Sequence, residues 1–129
     1  MRHRLNKLIE LDTGVQKRSL VMRNMLTSLV KEGKLVTTEK KAKMLKAEAD
    51  HFFSRLMSMF DMYKDEKDVR REAMRLVKSV IFSEAEGKKI VEEMMPKYKN
   101  EGKKFGFISN HRLGARKGDA AEKILLQLS

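Results

Sequence analysis

The chain has 129 residues, enough for one folded domain, and 29 Lys and Arg against 18 Asp and Glu give a formal net charge of +11. That excess favours a polyanionic partner, nucleic acid first and an anionic membrane surface second. The absence of cysteine excludes disulfides, thiolate zinc sites and cysteine nucleophiles, and the absence of a signal peptide or transmembrane run points to the cytosol.

The N-terminal residues 1–14 are predicted to be a basic arm, ahead of a globular body that spans residues 15–129. The arm has no carboxylate before Glu10. Short basic arms of this kind become ordered when they lie along phosphates. The arm residues that we expect to contact phosphate are Arg2, His3, Arg4 and Lys7.

The stretch from residue 17 to residue 43 predicts a helix, a very short strand and the capped start of a second helix. Apolar residues recur at helical spacing up to Val30, Gly33 is a typical helix stop, and Thr38 is a good N-cap. A helix N-terminus beside lysines can receive a phosphate, although a helix-turn-helix corner with a solvated basic rim has the same pattern. The candidate contacts here are Lys17, Arg18, Arg23, Asn24, Thr37, Thr38, Lys41 and Lys43.

The central part is predicted to be three amphipathic helices that serve as a scaffold. The first begins at Glu39 and should end near Tyr63, and acids from Asp65 onward mark the start of the next. A third helix, started by Ser83, is expected to stop at Pro96. Charges of both signs are mixed along these helices, which is typical of a solvated face.

The segment after the scaffold is basic again, with no acid between Glu101 and Asp119. Its glycines and β-forming residues predict a hairpin arm, while the final DAAEKILLQLS fits either a short helix or a strand. Phe105 and Phe107 could stack on an unpaired base or belong to the core, the commoner outcome. The candidate contacts here are Lys103, Lys104, His111, Arg112, Arg116 and Lys117.

Catalytic signals are missing from the sequence. The three histidines, His3, His51 and His111, are far apart and have no cysteine companions, so neither a metal site nor any other cofactor is expected. No nucleophile elbow, dinucleotide fingerprint or phosphate-binding loop occurs. Basic zones at both ends of a folded chain instead predict a non-enzymatic surface for structured RNA.

Several short motifs occur in an order that resembles one known family, the bacterial large-subunit ribosomal protein numbered seventeen. The motifs are the starting MRHR, Arg18, RNM at residues 23–25, TSL at 27–29, TT at 37–38, KAK at 41–43, GF at 106–107, Arg116 and GDAA at 118–121. The chain departs from the family pattern where a basic stretch is here LDTGVQKR at residues 11–18. It departs again where Gly-Gly-Tyr-Thr-Arg is here FGFIS at residues 105–109.

The resemblance implies an α+β fold in two layers, with the order α-β-α-α-α-β-β and a small mixed sheet against the helices. It favours a strand for the last segment. It further implies a structural constituent of the large subunit that binds ribosomal RNA near the nascent-chain exit region, beside neighbouring large-subunit proteins, on cytoplasmic ribosomes. The alternatives are a free-standing RNA- or DNA-binding protein and a helical interaction module for acidic partners.

Overall fold

The structure, a computed structural model, describes residues 15–129, with side chains from Lys17 onward. The first half consists of α1 (Val15–Glu32), β1 (Lys34–Thr38), α2 (Glu39–Met62) and α3 (Glu66–Val80). A fourth helix has three consecutive segments, namely α4 (Glu84–Lys89), a π-helical turn (Ile90–Met94) and α5 (Met95–Asn100). The hairpin strands β2 (Ile108–Ala115) and β3 (Glu122–Leu128) end the chain.

The three strands form one sheet in the order β1-β3-β2, and the α+β class and the order of elements are confirmed. The last segment is a strand, as the resemblance implied. The expectation of a mixed sheet is corrected, because β3 pairs antiparallel with both of its neighbours. β1 and β2 run in the same direction, but they lie on opposite sides of β3 and do not pair with each other.

One face of the sheet packs against the helices, which gives the two layers. Ile124 and Leu126 of β3 are buried, whereas Gln127 is exposed, which is the alternation of a strand with one covered face. The longest helix, α2, supplies Phe53 and Leu56 to the same core, both without exposed surface. The other face of the sheet, which carries Gln127, is turned away from the helices.

The fourth helix continues through Pro96 to Asn100, so the predicted stop at that proline is wrong. Proline has no N–H to donate, and its ring crowds the carbonyl one turn earlier. The π-helical turn directly before it, in which the Met95 N–H donates to the Ile90 carbonyl, widens the helix and accommodates the ring. The extra turn carries Tyr98 into the core.

Candidate nucleic-acid interface

Four of the candidate phosphate contacts, Arg2, His3, Arg4 and Lys7, belong to the arm at residues 1–14 and lie outside the described residues. The other candidates are described, and most of them are exposed. They fall in four places, which are the helix α1, the junction between β1 and α2, the loop before β2, and the hairpin formed by β2 and β3.

The sheet brings the end of β1 and the middle of β2 to the same level on either side of β3, although the two are far apart in sequence. Thr37 pairs with Ile124 of the central strand, and Ile124 pairs in turn with Arg112, so these three residues lie on one rung of the sheet. Thr38 is the N-cap residue of α2, and Lys43 follows about one turn later. We call Thr37, Thr38, Lys43 and Arg112 the junction cluster.

Two carboxylates lie within the junction cluster. Glu39 Oε1 is 3.1 Å from Lys43 Nζ and 3.9 Å from Arg112 Nη2, and Glu122 Oε2 is 3.3 Å from Arg112 Nη1. The pKa of Glu39 is lowered, first by its hydrogen bond from Lys43, then by the charge of Lys43, with a smaller contribution from the charge of Arg112. Lys43 and Arg112 are exposed, whereas Glu39 and Glu122 are partly buried and the Glu122 Oε2 atom is shielded from solvent. Ion pairs at the surface are weak, so a phosphate oxygen can take the place of a carboxylate beside Lys43 or Arg112.

The end of the hairpin is organised by Arg116 and Asp119. Arg116 Nε donates to Asp119 Oδ1 at 2.8 Å and Arg116 Nη2 donates to Asp119 Oδ2, which is a bidentate pair. The Ala121 N–H donates to the same carboxylate at 3.2 Å. These contacts hold the pKa of Asp119 well below its usual range, the Arg116 hydrogen bond contributing most. Arg116 thus shapes the turn, and Lys117 beside it is exposed.

Arg23 on α1 has a packing role that the sequence interpretation missed. Its Nε donates to the Val80 carbonyl at 3.0 Å, and its guanidinium carbon lies 4.0 Å from the centre of the Phe82 ring. Arg23 thereby fastens α1 to the connection between α3 and α4. Its spacing from Leu26 and Val30, which are buried on the same helix, was the signal in the sequence that it faces the body.

The remaining α1 candidates differ in exposure. Lys17 and Asn24 are exposed, whereas Arg18 is half-buried. The Arg18 Nε atom is shielded from solvent and forms no hydrogen bond with the residues that the structure describes. Lys41, near the start of α2, is exposed and comes two residues before Lys43 of the junction cluster.

The loop before β2 presents two lysines and separates the two phenylalanines that the sequence left undecided. Lys104 is exposed and Lys103 is half-buried. Phe107 has no exposed surface, whereas Phe105 is 82% exposed. Asp50 of α2, which the sequence interpretation did not single out, accepts a hydrogen bond from the Phe107 N–H at 3.0 Å.

His111 lies away from the junction cluster, although it precedes Arg112. Neighbouring residues of a strand point to opposite faces, and His111 pairs with Leu125 on the face turned away from the helices. Within residues 15–129, no group of three His, Asp or Glu side chains could hold a metal ion. None of the helices described there combines the length and apolar character that crossing a membrane requires.

Comparison with known proteins gives one family. The family model described as ribosomal protein L17 matches residues 21–129. The chain is 31% identical over 119 residues to the large ribosomal subunit protein bL17 of Clostridium botulinum (strain Loch Maree / Type A3), which covers 92% of this chain and 95% of the relative. The bL17 of Thermotoga neapolitana is 33% identical over 128 residues, which cover 99% of this chain and 94% of the relative. The bL17 of Carboxydothermus hydrogenoformans is 32% identical over 111 residues, which cover 86% of this chain and 88% of the relative.

Proposed function

The chain belongs to the ribosomal protein L17 family, and we propose that, as a structural constituent of the large ribosomal subunit, it binds and stabilises folded large-subunit RNA near the nascent-chain exit region. The family is structural and non-enzymatic, which agrees with the expectation of no catalysis, and its members are located on cytoplasmic ribosomes. Neighbouring large-subunit proteins are the other partners proposed. Residues 1–129 would act as one domain, with residues 1–14 as an arm on the RNA.

The junction cluster is the observation that carries the proposal. Strand pairing places Arg112 on the same rung as Thr37, and the contacts with Glu39 place it beside Lys43. The two cations and the Thr37 hydroxyl, which lie beside the start of α2, match the oxygens of an RNA backbone. Because surface pairs with carboxylates are weak, these cations can exchange a carboxylate for a phosphate with little loss.

Binding of this kind requires no reaction. Each phosphate that a Lys or Arg neutralises releases condensed counterions, which drives association and makes it dependent on salt. The remaining candidates, on α1, on the loop before β2 and at the end of the hairpin, would add contacts around the junction cluster. Proteins recognise structured RNA mainly through its shape and backbone, which suits contacts spread in this way over the fold.

A binding titration against large-subunit RNA of the source organism tests the role of the junction cluster. We expect Arg112→Gln to weaken binding and to reduce the slope of log affinity against log salt by about 1. Arg75→Gln is the matched control, because Arg75 has nearly the same side-chain exposure, 72% against 71%, and is also paired with a carboxylate, Glu72, at 3.1 Å. An equal loss in both variants would indicate non-specific attraction to the whole basic surface.

Sedimentation of a cell lysate separates the proposal from its alternatives. We expect the chain to travel with the large subunit at moderate salt. Recovery in the soluble fraction would favour a free-standing nucleic-acid-binding protein. Weak binding to ribosomal RNA that does not respond to salt would favour an interaction module for acidic partners.

A further inference from the structure

Phe105 has the highest exposed fraction among the large apolar side chains that the structure describes. It follows Lys104 in the loop between the fourth helix and β2. The neighbouring Gly106 has φ +69°, a left-handed conformation that suits glycine, and this turn sends Phe107 into the core while Phe105 stays outside. Most of the Phe105 side chain is therefore accessible to a partner.

The loop that carries Phe105 is fixed on both sides. Ser54 Oγ donates to the Lys104 carbonyl at 3.0 Å, and the Phe107 N–H donates to Asp50 Oδ1 at 3.0 Å. The Lys104 carbonyl and the Phe107 N–H belong to the loop, whereas Ser54 and Asp50 belong to the long helix α2. The ring is therefore displayed on a backbone that is already ordered, which lowers the entropy lost when a planar partner binds it.

A basic recess lies beside the same loop, lined in part by the two residues that precede Phe105, Lys103 and Lys104. It has a volume of about 360 Å³, and its charged lining consists of three lysines, Lys99, Lys103 and Lys104, and one carboxylate, Asp61. An exposed aromatic face beside lysines matches a nucleotide, whose base stacks and whose phosphate is anionic. An apolar pocket on a protein would match the ring but not the lysines.

We propose that Phe105 stacks on an unpaired nucleobase of the RNA, while Lys103 and Lys104 contact the phosphates on either side of that base. The inference rests on the proposed function and deepens it by naming a contact with a base in addition to contacts with the backbone.

Binding of the full-length chain to its large-subunit RNA, measured over a range of salt concentrations, tests the inference. We expect Phe105→Ala to lower the affinity by about fivefold to 100-fold at every salt concentration, with an unchanged salt slope, because stacking involves no counterion release. Phe105→Tyr should bind like the wild type. Phe105→Leu should behave like the alanine variant, because leucine keeps an apolar surface but has no ring.

Irradiation of the wild-type complex with ultraviolet light, followed by mass spectrometry, should place a nucleotide adduct on Phe105. Full rescue by Phe105→Leu would overturn the inference in favour of an apolar protein pocket. Unchanged affinity of Phe105→Ala, or an adduct found only elsewhere, would also overturn it. Wild-type chain that does not bind the RNA at all would instead refute the proposed function.

Discussion

Replacement of Phe107 by alanine should strongly destabilise the fold, because this side chain belongs to a buried aromatic cluster with Phe53 and Tyr98. Its ring centre is 4.9 Å from that of Tyr98 and 5.6 Å from that of Phe53, and it has no exposed surface. Truncation of a buried Phe to Ala costs about 3–5 kcal/mol, from lost transfer energy and from the cavity that remains. Single domains are stable by about 5–15 kcal/mol, so we expect Phe107→Ala to lose about a fifth or more of the free energy of unfolding.

Urea denaturation followed by far-ultraviolet circular dichroism measures this loss. The midpoint of Phe107→Ala should fall while the slope of free energy against urea stays unchanged, since the same surface is exposed on unfolding. Phe105→Ala is the matched control, the same substitution two residues earlier, and should change the free energy of unfolding by less than about 0.5 kcal/mol. A loss below about 2 kcal/mol for Phe107→Ala, or equal losses in the two variants, would refute the assignment of one ring to the core and the other to the surface.

Three further predictions concern groups whose role depends on charge. Arg23→Ala should lower the free energy of unfolding by about 2 kcal/mol in the same urea assay, because it removes a charged hydrogen bond and the contact with Phe82; an unchanged midpoint would contradict this. Burial, with a smaller effect of a nearby carboxylate, raises the pKa of Tyr98 to about 12. The neutral phenol is therefore favoured in the folded state, and its contribution to the free energy of unfolding is fully present below about pH 10. We expect that contribution, about 2–3 kcal/mol, to be lost as the pH rises to 12. Urea titrations at several pH values should show this fall in the wild type and not in Tyr98→Phe. Asp119→Asn should tighten RNA binding and steepen its salt dependence, because the substitution removes the carboxylate that pairs with Arg116. The pKa of Asp119 is lowered, mainly by the Arg116 hydrogen bond, so the wild-type carboxylate is ionised under the conditions of the assay. Binding equal to wild type would argue against a phosphate contact by Arg116.

The helices and strands could largely be predicted from local signals. Gly33, with φ +76°, ends the first helix, and Thr38 occupies the N-cap position of the second, as their residue types indicate. Thr38 nevertheless forms no side-chain cap hydrogen bond. The prediction at Pro96 was wrong because proline forbids only one hydrogen bond, and the π-helical turn before it removes the steric conflict. Such a turn has no clear mark in the sequence.

The candidate site depends more on contacts between distant residues, which a sequence does not display. Phe105 and Phe107 are both β-forming aromatics in a basic segment, but only Phe107 packs on Phe53 and donates its N–H to Asp50, 57 residues away in sequence. The helical spacing of Arg23 indicated that it faces the body, but its partner is the backbone carbonyl of Val80, which no residue type in the sequence identifies. Residue identity predicted which side chains are charged, while the fold decides which of them are available.

The availability of each arginine follows from the form of its ion pair. Arg116 binds Asp119, three residues later, through two hydrogen bonds that also build the turn, so a phosphate would have to replace a preorganised contact. Arg112 reaches Glu122 at 3.3 Å and Glu39 at 3.9 Å, and both distances exceed those of strong charged hydrogen bonds. Since Arg112 has less to lose when it turns to a phosphate, we expect it to contribute more to RNA affinity than Arg116, although the two count equally toward the net charge of the chain.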